Sequence, residues 1–239
     1  MPGSMKGSTG VAAARCARNA GEMPAKPATR GDATRNELKR AAQRLFAERG
    51  IAAVGMRDIL DAAGQRNAAA VHYYFGGKDD LLRELVADGA RAIDQARGAL
   101  LDAAEARSGG PTLDDIVRAI VLPHIAIQGE KGEGETYLRF IGNLQAERRA
   151  LFEDAAGTES PAYARCLDQV RRLLRHLPLA AINQRLLFAG LSSQAILAAR
   201  EAALDGADEG AHPYWTRPGA LDAIILAIKG ILIGPCSAD

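Results

Sequence analysis

The fold class of this chain is decided by residues 34–85, which read TRNELKRAAQRLFAERGIAAVGMRDILDAAGQRNAAAVHYYFGGKDDLLREL. Apolar residues recur at helical spacing in the first part of this stretch, and Gly50 stands where a helix would end. The pattern predicts a first helix over residues 33–49. Two short helices are predicted next, over 56–63 and 68–74, joined by a short turn that contains glycine. Two short helices joined in this way indicate a helix-turn-helix.

The rest of the chain shows the same helical periodicity, interrupted by loop residues. A long helix is predicted over residues 78–106, with leucine and isoleucine along one side. Further helices are predicted over residues 112–127, 135–155, 161–177, 179–204 and 219–233. No segment shows the apolar-polar alternation of a strand, so the chain is predicted to be all-α.

Composition excludes several classes of protein. With 48% hydrophobic and 25% charged residues, the 239-residue chain is typical of globular proteins. Apolar runs such as residues 224–228 are far shorter than the ~20 residues of a membrane-spanning helix, and the N-terminus lacks a signal-like apolar stretch. We therefore expect a cytoplasmic protein without a membrane partner. Cys16, Cys166 and Cys236 lack metal-binding spacing and are odd in number, which favours free thiols and no metal or cofactor.

Positive charge is concentrated in the N-terminal third. Residues 1–80 hold 13 Lys and Arg against 8 Asp and Glu, whereas residues 81–239 hold 17 against 21. A basic head on a mildly acidic body is typical of a nucleic-acid-binding domain attached to an interaction domain. Residues 1–31 contain no Leu, Ile, Phe, Tyr or Trp, so they have little apolar surface to bury and are predicted to be a disordered basic arm.

Several signals in register give residues 34–85 a close resemblance to the DNA-binding head of the tetracycline-repressor (TetR) family. The residues that carry it are Leu45-Phe46 with Gly50 at the end of helix one, Ala63-Gly64 at the turn, the run His72 to Phe75, and Lys78 with Leu81. The rest of the chain resembles the family only in helix number and length. The resemblance implies a transcription regulator that binds a palindromic double-stranded DNA operator as a homodimer. It further implies a repressor that a small-molecule effector releases.

Base edges are read by the start and the outward face of the second helix of a helix-turn-helix. Here these positions are held by Gln65, Arg66, Asn67, Ala68, Ala69 and His72. Arg66 suits guanine, whereas Gln65 or Asn67 suits adenine. Ala68 or Ala69 suits a thymine methyl group. Two alternatives stay open: Asn67 as the N-cap of the helix, and Arg66 as a solvated surface charge.

Phosphate contacts are expected around this helix. Two adjacent tyrosines cannot both point inward from one helix, so at least one of Tyr73 and Tyr74 is expected to donate to a phosphate, and the resemblance favours both. Lys78 combines its charge with the positive end of the next helix, which predicts a phosphate contact. The same role is expected for Thr34, Arg35 and Arg57, and the alternative for each is an ordinary surface residue.

The body offers a dimer interface and a ligand pocket. Its last two long helices are more apolar than one protomer needs, and pairing them about a two-fold axis would form a four-helix bundle. The interface is predicted at Leu187, Leu191, Ile224, Ile225 and Ile228, with burial inside one protomer as the alternative. Central helices carry a few polar groups among aromatic ones, as a pocket requires. The candidate lining is His124, Tyr137, Phe140, Asn143 and Phe188, with an aromatic core as the alternative.

The chain thus divides into the arm over 1–31, a helix-turn-helix DNA-binding domain over 32–80, and a helical ligand-binding and dimerisation domain over 81–239. Motifs for catalysis are weak. They are an isolated Gly132-x-Gly134, a Gly190-x-Ser192 without the final glycine of a nucleophile elbow, and one Glu209-x-x-His212. We therefore do not expect an enzyme. The alternative is an all-α protein whose helix-turn-helix does not read DNA: an interaction protein, a small-molecule-binding protein or a helical enzyme. A DNA-binding measurement discriminates between this alternative and a transcription regulator.

Overall fold

The computed structural model describes residues 30–65, 73–126, 136–156, 160–205 and 212–234. In these ranges every regular element is a helix, so the all-α prediction is confirmed. The helices are α1 (Arg30–Arg49), α2 (Met56–Ala62), α3 (Lys78–Glu105), α4 (Leu113–Val121), α5 (Pro123–Ala126), α6 (Tyr137–Glu147), α7 (Arg149–Ala156), α8 (Pro161–Leu173), α9 (Leu179–Asp205), α10 (Pro213–Thr216) and α11 (Ala220–Ile233). We call residues 35–77 the head and residues 78–234 the body.

Contacts group residues 35–239 into one compact unit and residues 1–34 into another. Of the second unit only residues 30–34 are described, and they form the start of α1. The predicted arm over 1–31 lies outside the described residues except for its last two, which are helical. The predicted domain boundary between residues 80 and 81 stays a prediction.

The head follows the sequence pattern closely. Leu38 and Phe46 of α1 and Ile59 of α2 are fully buried, as their helical spacing predicts. Gly50 ends α1 with φ of 81°, a left-handed conformation that glycine adopts without a steric penalty. The backbone N–H of Gly55, the N-cap of α2, donates to Asp58 Oδ2 at 2.7 Å. The predicted limits of these two helices are therefore confirmed to within a few residues.

Three body helices differ from the prediction. The helix predicted over 135–155 is broken at Arg148, whose φ of −140° and ψ of 51° are not helical. The helix predicted over 112–127 is interrupted before Pro123, because proline has no N–H to donate to the preceding turn. The helix predicted over 161–177 ends at Leu173, and the predicted loop 205–218 contains the short α10.

In the body, the long helix α3 packs against α4, α7 and α8, while α9 packs against α6 and α11. Glu201 of α9 is buried and accepts from the backbone N–H groups of Leu138 and Arg139 at 3.0 Å, so a carboxylate stabilises the positive end of α6. Cys166 is a buried free thiol, and burial raises its pKa to about 11. Among the described helices none is both long and apolar enough to cross a bilayer.

Candidate nucleic-acid interface and body cavity

The predicted base-reading residues begin in the turn after α2. Arg66, Asn67, Ala69 and His72, together with Ala68, lie outside the described residues. Gln65 immediately precedes them and its side-chain amide donates to Glu37 Oε2 of α1 at 3.3 Å. This contact holds the turn after α2 against the first helix of the head.

The two tyrosines have different environments. Tyr73 is 83% exposed, whereas Tyr74 is partly buried and packs against the hydrophobic core. Their rings meet edge to face, with centroids 5.1 Å apart. Of the two, Tyr73 is the more exposed side chain, so it is the better candidate for donating to a phosphate.

The Lys78 side chain binds the head itself. Its Nζ donates to the carbonyl oxygens of Ile51 and Val54, each at 2.6 Å, and lies 5.6 Å from the centre of the Phe46 ring. Two of the three ammonium donors therefore satisfy carbonyls in the loop between α1 and α2. The phosphate contact predicted for Lys78 stays a prediction. Only the third N–H donor could bind a phosphate while the two hydrogen bonds to the carbonyl oxygens are kept.

The other residues predicted to contact phosphates differ in the interactions that they already make within the protein. Arg35 pairs with Glu84 at 2.5 Å, and its guanidinium lies 5.1 Å from the Phe75 ring centre. Arg57 is exposed, and no partner for it is found among the described residues. Thr34 lies near the start of α1 and is partly buried. Arg57 is thus the predicted contact with the fewest interactions to lose when DNA binds.

Two residues of α6 that the sequence did not indicate in this role bind the head. The carboxylate of Glu147 accepts from the backbone N–H groups of Ile51 at 2.9 Å and Ala52 at 2.7 Å. The side-chain amide of Asn143 donates to the carbonyl oxygens of Phe46 at 2.9 Å and Ala47 at 3.1 Å. These contacts span about a hundred residues of chain, so no local sequence signal could have revealed them.

The body contains a cavity of about 830 Å³ between α3, α4, α5, α6, α7, α8 and α9. Its lining is mainly aliphatic and aromatic. Among the residues described, Arg97 of α3 is the one charged side chain in the lining. A largely apolar cavity with a few polar groups is what a small-molecule site requires.

Two of the five predicted pocket residues line this cavity. They are His124 and Tyr137, and the Tyr137 hydroxyl donates to the carbonyl oxygen of Val86 at 3.2 Å. His124 Nδ1 lies 2.9 Å from the carbonyl oxygen of Ile120, which makes Nδ1 the protonated nitrogen of the neutral ring. Burial, together with the nearby charge of Arg97, lowers the pKa of His124 to about 4, so the ring is neutral near pH 7.

The other three predicted pocket residues lie elsewhere, and the prediction is corrected for them. Phe140 is fully buried and stacks on Phe46 at 6.0 Å, so it belongs to the core between body and head. Asn143 is engaged with the carbonyls at the end of α1. Phe188 is 49% exposed on the outer side of α9. The sequence could not separate these positions because aromatic and amide residues suit a core, a cap or a pocket equally well.

The predicted dimer residues divide into two groups. Leu187 and Leu191 of α9 are both 58% exposed. Ile224, Ile225 and Ile228 of α11 are at most 7% exposed in the single protomer, so they are core residues and not interface residues. The exposed apolar side chains of α11 are Leu226 and Ile233, at 69% and 54%. The apolar surface of α11 therefore lies on the opposite side of the helix from the one predicted.

Comparison with known proteins identifies the head. Residues 38–85 match the family model described as bacterial regulatory proteins, tetR family. No curated protein matches the chain.

Among solved structures, the chain is similar to Salmonella enterica GusR, with 16% identity, a TM-score of 0.47, and coverage of 85% of this chain and 97% of that one. It is also similar to a TetR family protein from Vibrio parahaemolyticus, with 18% identity, a TM-score of 0.47, and coverage of 83% and 97%. A third is the TetR family regulator PfmR from Thermus thermophilus, with 17% identity, a TM-score of 0.44, and coverage of 85% and 97%.

Proposed function

We propose that this chain, a TetR-family DNA-binding transcriptional regulator by the match of residues 38–85, is a homodimeric repressor that a small molecule releases from its operator. In the proposed complex, base edges are contacted by Gln65, Arg66, Asn67, Ala69 and His72. Phosphates are contacted by Tyr73, Arg57 and the third donor of Lys78. The expected partner is a palindromic duplex in the cytoplasm.

Release by a ligand is supported by one observation: helix α6 contacts both the cavity and the head. Its residues Tyr137, Leu138 and Ile141 line the cavity. Its last turns hold the head through Asn143 and Glu147. A ligand that displaces α6 therefore also displaces the backbone of the head. Since the two recognition helices of a dimer must stay about one DNA turn apart, ~34–36 Å, a small displacement weakens operator binding.

A second copy of this chain is the partner that fits the exposed apolar face of α9 and α11. This face is formed by Leu187, Phe188, Leu191, Leu226 and Ile233. Small residues, Ala223, Ala227 and Gly230, lie exposed between the apolar ones on α11 and permit close helix packing. Pairing α9 and α11 with their symmetry mates would form a four-helix bundle. Leu187 and Leu191 also line the cavity, so the second copy would cover part of its opening.

The function is tested by selecting bound sequences from random duplex DNA with the purified full-length protein. A two-fold symmetric sequence among the selected duplexes supports a dimeric DNA-binding regulator. Enrichment of no sequence would favour an interaction or small-molecule-binding protein whose helix-turn-helix does not read DNA. A compound that co-purifies with the protein is identified by mass spectrometry and titrated into the protein–operator complex. If the compound does not lower operator affinity, release by that compound is contradicted.

A further inference from the structure

We propose that the cavity binds an organic carboxylate with a large apolar body, whose carboxylate pairs with the guanidinium of Arg97 and accepts from the side-chain amide of Gln194. The inference rests on the proposed function, since it names the chemical class of the effector.

The first observation is a buried donor without an acceptor. Arg97 of α3 is only 4% exposed and lines the cavity. Its Nη1 donates to Asp94 Oδ1 at 3.0 Å, and its guanidinium lies 5.0 Å from the centre of the Tyr163 ring. Its Nε is buried and finds no acceptor among the described residues. Leaving a buried guanidinium donor unpaired costs free energy, so native proteins rarely do so without a ligand or a water.

The second observation is a second donor of the same kind on another wall. The amide nitrogen of Gln194, on α9, is buried and also finds no acceptor among the described residues. Gln194 and Arg97 line the same cavity from two different helices. Two residues of one cavity lining that each carry an unsatisfied donor indicate a ligand with acceptor oxygens.

The charges around the cavity favour an anion over a neutral acceptor. Asp94, the partner of Arg97, also accepts from the backbone N–H groups of Ala162 and Tyr163, each at 2.9 Å, at the start of α8. The positive end of α8 therefore shares in neutralising Asp94, which leaves part of the Arg97 charge for a second anion. His124 is neutral, and no carboxylate belongs to the described lining to repel an acid. A guanidinium paired with a carboxylate also forms stronger hydrogen bonds than one paired with a neutral carbonyl.

The rest of the cavity suits an apolar body. Its described lining includes Ile93, Ile120, Ile141, Phe152, Leu167 and Leu197. A volume of about 830 Å³ is larger than a short acid would fill. Burial of an alkyl or aromatic body would supply most of the affinity at ~25 cal/mol per Å² of apolar surface, while the carboxylate would fix the orientation.

The test uses a fluorescent acid, dansyl-undecanoic acid, and its methyl ester, titrated into the full-length protein without DNA. The ester has the same apolar body and lacks the charge. We expect the acid to bind at least tenfold more tightly than the ester. Gln194→Glu places a like charge beside the carboxylate, and we expect it to weaken binding of the acid about tenfold or more while changing ester binding less than about threefold.

The matched control is Gln95→Glu, the same substitution on the exposed side of α3 and outside the cavity lining. We expect it to leave binding of both probes unchanged. Circular dichroism melting verifies that each variant is folded, and because Gln194 is only partly buried, its variant is expected to melt close to the wild type. Equal affinity for acid and ester, binding of neither probe, or equal effects of the two Glu variants would each overturn the proposal.

A parallel titration of the protein–operator complex separates this inference from the proposed function. If the acid binds as expected and operator affinity does not change, the carboxylate site stands and the proposed release by this ligand fails. If acid and ester bind equally well and both lower operator affinity, ligand release stands and the carboxylate site fails.

Discussion

The ammonium group of Lys78 shows how one residue links the head to the body. Its bonds to the carbonyl oxygens of Ile51 and Val54 are charge-assisted, so we expect Lys78→Met to lower the free energy of unfolding by about 1.5–3 kcal/mol. Arg57→Met is the control, because exposed Arg57 has no partner among the described residues, and it should stay within about 0.5 kcal/mol of the wild type. Chemical denaturation measures both, and equal stabilities of the two variants would contradict this structural role.

Base reading and phosphate contact are separated by two arginine variants. Arg57→Ala should weaken binding to every duplex and reduce the slope of log affinity against log salt by about one, because one phosphate contact is lost. Arg66→Ala should cost ~1–3 kcal/mol on the selected operator and relax the preference at one position of each half-site. Fluorescence anisotropy on operator and scrambled duplexes measures both effects. A uniform loss on all duplexes for Arg66→Ala would remove its base-reading role.

The partly buried His124 predicts a loss of stability in mild acid. Its folded-state pKa of about 4 lies below the ordinary value of 6.5, so between these values the unfolded chain binds a proton that the folded protein does not. Stability is therefore expected to fall as pH drops from about 6.5 towards 4. His124→Gln, which does not titrate, should show a flatter dependence in this window. Denaturation curves at several pH values check this, and parallel pH profiles for the two proteins would contradict it.

At the scale of the elements, α11 has two apolar sides with different roles. Leu226 is exposed and Ile225 is buried, so the same substitution at neighbouring positions should have different effects. Leu226→Arg places a charge in the proposed interface, and we expect a folded monomer. Ile225→Arg places the charge in the core of the protomer, and we expect loss of folding. Analytical ultracentrifugation with circular dichroism distinguishes them, and an unchanged dimer for Leu226→Arg would contradict this interface.

The molecule as a whole is expected to couple the cavity to the operator through α6. Coupling is reciprocal, so a ligand that lowers operator affinity tenfold must bind the protein–DNA complex tenfold more weakly, a difference of about 1.4 kcal/mol. Glu147→Gln weakens the contact of α6 with Ile51 and Ala52 without touching the cavity. We expect Glu147→Gln to reduce the coupling between ligand binding and operator binding, while the affinity for the ligand in the absence of DNA stays the same. Calorimetry with and without operator measures this, and an undiminished coupling would exclude Glu147 from the route.

The sequence by itself determined the all-α class, the end of α1, the limits of α2 to within a residue, and the start of α3. These features depend on local signals: helical periodicity, a glycine at the end of α1, and a glycine in the turn after α2. Such signals act within a few residues, and the sequence contains them in full.

The tertiary structure alone decided where the polar and apolar groups of these helices point. Helix α11 is apolar on most of its circumference, so its periodicity could not tell the side buried in the protomer from the side left exposed. The contacts of Lys78 and Glu147 with the loop between α1 and α2, and the shared cavity of Arg97 and Gln194, join residues far apart in the chain. Only packing brings such groups together, because a contact between distant segments depends on how whole helices dock and not on the residues next to it.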